Sequence, residues 1–199
     1  MNWPPRQRVL EGVSVRLEAI EPAHREGLAA ASGEPATWEW LDRRIPDDRA
    51  AFDAWFDERM DASSDGREWC LVTHAPPNWD PIGSSSYLNI RRAHDGLEIG
   101  WTWLHPSAWR TGANVEAKLL MLAHAFGQLG CIRVEFKTDA RNTRSRTALS
   151  DLGATFEGVL RKHLLMPGLG VWDSAVFSVT DEDWSDVRAR LHGRLARHA

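Results

Sequence analysis

The run Trp109-Arg110-Thr111-Gly112-Ala113-Asn114 lies where a strand pattern stops and a long helical pattern begins. A helix start leaves backbone N–H groups without intrahelical acceptors and carries a partial positive dipole, so the junction suits a phosphate or pyrophosphate. Gly112 permits close approach to the backbone, Arg110 supplies charge and Thr111 a hydroxyl. Spacing alone is weak, because a strand, a turn with one glycine and a helix are usually a plain connection. Arg141, Arg144 and Arg146 form a short basic run that can face a phosphate or simply solvent. Trp38 and Trp40, interleaved with Glu39 and Asp42, can receive a cationic amine by cation–π and charge attraction. The competing reading is that both rings pack a helix pair. His24, His74, His94, His105, His124 and His163 are scattered without the short spacing of zinc ligands, so no metal site is expected.

These groups need elements to hold them. Val13 to Glu18 alternates apolar and polar residues, as a half-buried strand does. A helix follows from Glu21-Pro22 to a stop at Gly33, and a second starts at Asp47 and Asp48 with Phe52, Trp55, Phe56 and Met60 on one stripe. Arg67 to Val72 and Pro81 to Leu88 read as strands, and so does Leu97 to Leu104, with Leu97, Ile99, Trp101 and Trp103 on one face. The long helix after the turn carries Val115, Leu119, Leu122 and Phe126 and ends at Gly130. Cys131 to Thr138 is a strand; Asn142 caps a short helix closed by Gly153. Phe156 to Met166 and Val171 to Val179 form a hairpin around Pro167-Gly168-Leu169-Gly170, and an amphipathic helix begins near Asp181. The pattern is mixed α/β.

Composition sets the limits. The chain has 199 residues, 43% hydrophobic and 26% charged, which suits one folded domain rather than disorder. A net charge of −4 argues against a nucleic-acid binder. Two cysteines are too few for a disulfide framework, and no apolar run is long enough to span a bilayer. The polar, proline-broken opening does not look like a signal peptide, so a cytoplasmic setting without membrane partners is expected.

Taken in order, Glu98-Ile99-Gly100-Trp101-Thr102-Trp103-Leu104-His105-Pro106, the turn Trp109 to Asn114, the helix start Val115-Glu116-Ala117-Lys118, Asn142-Thr143-Arg144-Ser145 and Leu152 to Arg161 resemble the GNAT N-acetyltransferase superfamily. The branch resembled is that of the ribosomal-protein-alanine (RimJ/RimL-like) enzymes, and the likeness runs from Leu10 to Phe177. It implies a mixed, mostly antiparallel sheet flanked by helices, with a V-shaped cofactor cleft and an extra C-terminal helix. The unit is one acetyltransferase domain over 1–199, with a core of 1–180 and a helix over 181–199. It also implies acetyl-CoA as donor. Backbone amides from Trp109 through Arg110, Thr111, Gly112, Ala113 and Asn114 to Val115 cradle the pyrophosphate, although Asn114 departs from the family's small residue there. The pantetheine arm pairs like an added strand with Trp101, Trp103 and Leu104, and Asn142 and Ser145 reach the cofactor.

The same resemblance implies direct transfer to a primary amine, a protein N-terminus or a small molecule. A base or an ordered water must then take a proton from that amine. Glu98 matches the family's strand glutamate in position, and its apolar neighbours Leu97 and Ile99 suit a carboxylate poised to take a proton; the alternative is a solvated strand-face acid. The family tyrosine that protonates the departing thiolate is missing, since the single tyrosine is Tyr87, so Ser145 or water fills that place. Trp38, Trp40 and Tyr87 border the expected acceptor site. A catalytically idle acyl-CoA-binding module on the same fold is the alternative function. Trp184, Val187, Leu191 and Leu195 form a stripe on the last helix that suits a homodimer contact.

Overall fold

The computed structural model describes residues 8–41, 49–166 and 170–198. Period-two alternation produces eight strands: β1 (Val9–Glu11), β2 (Arg16–Ala19), β3 (Trp69–Ala75), β4 (Asp80–Arg91), β5 (Gly96–Leu104), β6 (Arg133–Asp139), β7 (Thr155–Met166) and β8 (Gly170–Thr180). They form one sheet in the order β1-β2-β3-β4-β5-β6-β8-β7. Every pairing is antiparallel except β5 with β6. Among the described residues five α-helices flank it: α1 (Arg25–Ala31), α2 (Arg49–Ser64), α3 (Ala113–Gly127), α4 (Thr143–Leu152) and α5 (Trp184–Leu195). The expected mixed, mostly antiparallel sheet is what the chain forms.

Alternation along the strands sends residues to two cores. Leu17, Leu71, Leu97 and Ile99 join α3, α4 and α5 on one face. Ile20, Cys70, Val72 and Trp103 join α1 and α2 on the other. Leu97 and Ile99 therefore do not share a face with Trp103, contrary to the alternation expected for β5. Ser86 pairs with Gly100 and Ser84 with Trp103, so two residues of β5 oppose one of β4. This bulge places Trp101 at φ +49 and inverts the facing of everything after it.

Val13 to Glu18 is not one strand. Gly12 to Val15 turn between β1 and β2, and Val13 is 91% exposed. The turn is tied to α3 by the Glu116 carboxylate, which accepts from the Val13 amide at 2.6 Å, the Ser14 amide at 2.8 Å and the Ser14 hydroxyl. The expected helix start at Asp47 and Asp48 and the hairpin turn at Pro167 to Leu169 lie outside the described residues. α5 spends its stripe within its own chain. Val187 and Leu191 are buried in the core, and Trp184 stacks on Phe126 at 5.4 Å. The helix expected to supply a dimer contact is already packed. Cys70 and Cys131 are free and buried. Among the described residues, no helix is long and apolar enough to cross a membrane.

Removing the carboxylate of Glu116 leaves two backbone donors in a partly buried turn without an acceptor. Each such loss costs about 1–3 kcal/mol. Glu116→Ala should lower the melting temperature by about 5–10 °C for a chain of this size. Thermal unfolding followed by circular dichroism checks this.

Candidate active site

β5 and β6 are paired only over Gly96 to Glu98 against Arg133 to Glu135. Beyond that β5 continues to Leu104 and β6 to Asp139 with no bonds between them, so the strands part and a V-shaped cleft of about 860 Å³ opens. The bulge at Trp101 lies at the fork. One side of β5 from Gly100 onward is thus an open row of backbone donors and acceptors, suited to an extended, amide-containing ligand.

At the outer end of the cleft α3 begins. Gly112 is its N-cap at φ +91, a conformation that favours glycine. Among the described residues, no acceptor takes the amides of Gly112, Asn114 or Val115, and all three residues line the cleft. The Ala113 amide is engaged by the Thr111 hydroxyl at 3.3 Å, and that hydroxyl donates to the Ala108 carbonyl. Thr111 clips the turn instead of offering its hydroxyl to a ligand. Trp109 donates its indole N–H to the Leu104 carbonyl at 2.9 Å and lies under the Arg144 guanidinium at 4.3 Å. Arg110, at φ +63, also lines the cleft. Asn114 leaves the helix start regular and carries a buried side-chain oxygen with no partner. Free amides, a cation and an orphaned acceptor fit a phosphate-bearing donor with amides in its arm.

Asn142 is the N-cap of α4, its side-chain oxygen accepting from the Ser145 amide at 3.0 Å. Asn142 and Ser145 both line the cleft. Of the basic run only Arg144 faces it. Arg141 is locked to Asp139 by three hydrogen bonds, and Arg146 donates to the Ala140 carbonyl.

At the inner end stands Glu98, 7% exposed. Its Oε2 accepts from Asn89 and from the Lys137 ammonium, each at 2.7 Å. Among the described residues no donor reaches Oε1, which lies over Gly100. Leu97 and Ile99 point to the opposite face, so the spatial neighbours of this carboxylate are polar ones that its chain neighbours did not announce.

On the wall nearest α1 and α2, Trp40 lines the cleft, with the Arg141 guanidinium 5.8 Å from its ring. Trp38 does not. It is buried, packed on Trp55 and Trp103, with its indole N–H on the Ser32 carbonyl. The packing reading holds for Trp38. Tyr87, expected at the acceptor site, is 1% exposed and points into the other core, where its hydroxyl donates to the Met121 carbonyl at 2.8 Å. Strand parity put it there, because Leu88, its neighbour, takes the cleft side.

Glu68 and Lys118 are among the charged residues of the cleft wall that were not singled out as site residues. Glu68 is buried against Arg59 at 2.8 Å, and burial raises its pKa despite that partner. Lys118 is 6% exposed, with its ammonium nitrogen 2.8 Å from the Ser85 hydroxyl and also bonded to Thr102. Burial pushes its pKa down to about 7. Its signal was present in the sequence: Lys118 precedes Leu122 by four residues, on the inward face of α3.

With this geometry in view, comparison with known proteins places the chain. Residues 14–155 match the acetyltransferase (GNAT) domain family, and the chain belongs to that family. It is an N-acetyltransferase by family, and the family's donor is acetyl-CoA. A GCN5-related N-acetyltransferase from Brucella melitensis is 30% identical over 96% of this chain and 89% of its own, with a TM-score of 0.88. A T. thermophilus protein, whose acetyltransferase activity is itself an assignment, is 34% identical over 96% and 98%, with a TM-score of 0.86. Mycobacterium smegmatis RimJ, solved in complex with CoA-disulfide, shares the fold at 22% identity over 94% and 91%, with a TM-score of 0.72. No functionally curated protein matches the sequence.

The Lys118 environment predicts a pH signature. With a folded pKa of about 7 against an ordinary 10.5, the unfolded chain binds more protons between those values. Stability from this group therefore falls as pH drops from about 10.5 to 7 and is fully lost below. Lys118→Met, which leaves Ser85 and Thr102 bonded to each other, should gain melting temperature over the parent chain at pH 7. The gain should shrink by pH 10. Melting curves of both proteins across pH give the test.

Proposed function

We propose that this chain binds acetyl-CoA in the β5/β6 cleft and transfers the acetyl group directly to a primary amine. One observation carries the reading: a cleft with unpaired backbone of β5 along one wall, free amides of α3 at one end and the open Oε1 of Glu98 at the other. Acetyl-CoA, when bound, supplies an acetyl group activated as a thioester. Gly112, Asn114 and Val115 hold the pyrophosphate on their amides, and Gly100 to Leu104 hold the pantetheine arm. Asn114, Asn142 and Ser145 add side-chain contacts. Ser145, which lines the cleft, or a water stands nearest the role of proton donor to the leaving sulfur.

Glu98 takes the proton of the incoming amine at Oε1, directly or through a water, while Lys137 and Asn89 fix its other oxygen. Trp40 borders the acceptor, and Trp38 supports it from behind through Trp103. The acceptor is a protein N-terminus or a small amine. Neighbours named for ribosomal-protein substrates are 16–20% identical, which speaks for the fold alone. Residues 1–199 act as one domain, the 181–199 segment that carries α5 included, in a reducing, cytoplasmic setting consistent with two buried free thiols.

The assembly we propose is a homodimer, with its contact moved from α5 to the β7/β8 hairpin. β7 is an edge strand of the sheet, and Phe156, Leu160, Leu164, Leu165 and Val171 are all exposed on the hairpin it forms with β8.

Acetyl-CoA at about 100 times its dissociation constant should add about 2.7 kcal/mol of stability. That is a rise of about 5–10 °C in melting temperature. Gly112→Asp, which sets a carboxylate in a left-handed position against the phosphates, should abolish the rise. Glu98→Gln should keep the rise and lose about 10²–10⁴-fold in turnover with any accepted amine; an unchanged rate would pass the proton to water. Light scattering should give about twice 22.4 kDa, falling to the monomer when the cross-strand neighbours Leu165 and Val171 are both changed to Lys.

A further inference from the structure

His198, which follows α5, lies against the turn at Gly112. A Cβ built on Gly112 would lie 3.3 Å from three atoms of His198, so this side chain packs directly on the turn's glycine. His198 and Arg194 both line the cleft beside Gly112 and Asn114. They are delivered there by α5, which Arg190 braces to the Asp151 carbonyl of α4 at 2.8 Å. Resting on the acetyl-CoA reading above, we infer that Arg194 and His198, with Arg144 of the same cleft, form a subsite for a phosphomonoester. That group is the 3′-phosphate of the coenzyme, and the subsite separates coenzyme A from its 3′-dephospho form.

Charge and pairing support a ligand role for this wall. Arg194 reaches Asp151 only at 3.6 Å, beyond an ordinary hydrogen bond, so its planar donors remain available. Arg144 has a ring beneath it and no carboxylate among the described residues. The ring nitrogens of His198 have no hydrogen-bond partner there either. Elsewhere in this chain arginines are mostly consumed by carboxylates, as Arg141 is by Asp139 and Arg133 by Glu157. Two guanidinium groups and an imidazole left open around free amides are an arrangement an anion satisfies. The pyrophosphate takes the amides, and a second phosphate is needed to use the guanidinium groups farther out. The tail lines the cleft without filling it, which favours a wall over a plug.

The test compares coenzyme A with 3′-dephospho-coenzyme A by isothermal titration calorimetry. It uses the full chain, the double variant Arg194→Ala/His198→Ala, and a chain ending at Leu195. Arg194 is partly exposed and His198 exposed, so unliganded melting temperatures of the double variant should match the parent. The parent should prefer coenzyme A by about tenfold, as expected for charge-assisted bonds to one phosphate. The double variant should lose about tenfold for coenzyme A and stay within about twofold for the dephospho ligand. The shortened chain, which keeps Arg194, should fall between. Equal losses for both ligands would mean the tail only shapes the turn, and tighter coenzyme A binding would mean it is a cover; either overturns the inference. Binding of both ligands without discrimination by the parent overturns it as well, while the acetyl-CoA reading stands. Failure of the parent to bind either ligand removes that reading itself.

Discussion

Three residue pairs decide the architecture of the cleft. Among the described strands β5 and β6 are the one parallel pair, and their ladder stops at Glu98 and Glu135. A sheet whose central strands separate must do something with the exposed edges, because buried backbone groups without partners are costly. Here the bulge at Trp101 turns the end of β5 outward, and α3 and α4 line the gap from one face. Water or a ligand must complete the hydrogen bonding. A molecule with its own amides is well suited to that position. A ligand bound there would finish the sheet, so the site need not be carved from a surface that was already satisfied.

The electrostatics follow the same division. Glu98 and Lys137 face each other across the fork, each compensating the charge of the other where the strands are still close. Farther out, where the strands have parted, the charges are mostly positive and less well paired. Lys118 has hydroxyl partners and, among the described residues, no carboxylate, and burial lowers its pKa. A neutral amine at that depth costs less than a buried ammonium.

Much of this was legible in the sequence because it is local. The helical stripe of α3, the Asn142 cap and the Gly153 stop are read from spacing within one or two turns. The order of the motifs pointed to the family, and so to a cleft at Glu98 and Gly112. What was not legible depends on register. A single bulge reversed the facing of Trp103, and nothing in an alternating run announces where an extra residue will be inserted. Tyr87 went to the core by the parity of a strand whose pairing is set by β3 and β5, not by its own residues. The tail's approach to Gly112 depends on how α5 packs, far along the chain from the turn it meets. The resemblance did not extend that far.

Strand order also dictates a sequence of assembly. β1 to β5 are each next to their chain neighbour, so that half of the sheet can pair progressively as the polypeptide emerges from a ribosome. β6 cannot do the same. It has three parallel pairs to β5, and its seven-residue ladder is made with β8, which spans Gly170–Thr180. One wall of the V is therefore available early in synthesis, while the other waits for nearly the whole chain. During that interval the edge of β5 and the side of α3 that α5 later covers, where Phe126 meets Trp184, lie open to solvent. Those two surfaces are the ones a nascent-chain chaperone would meet first.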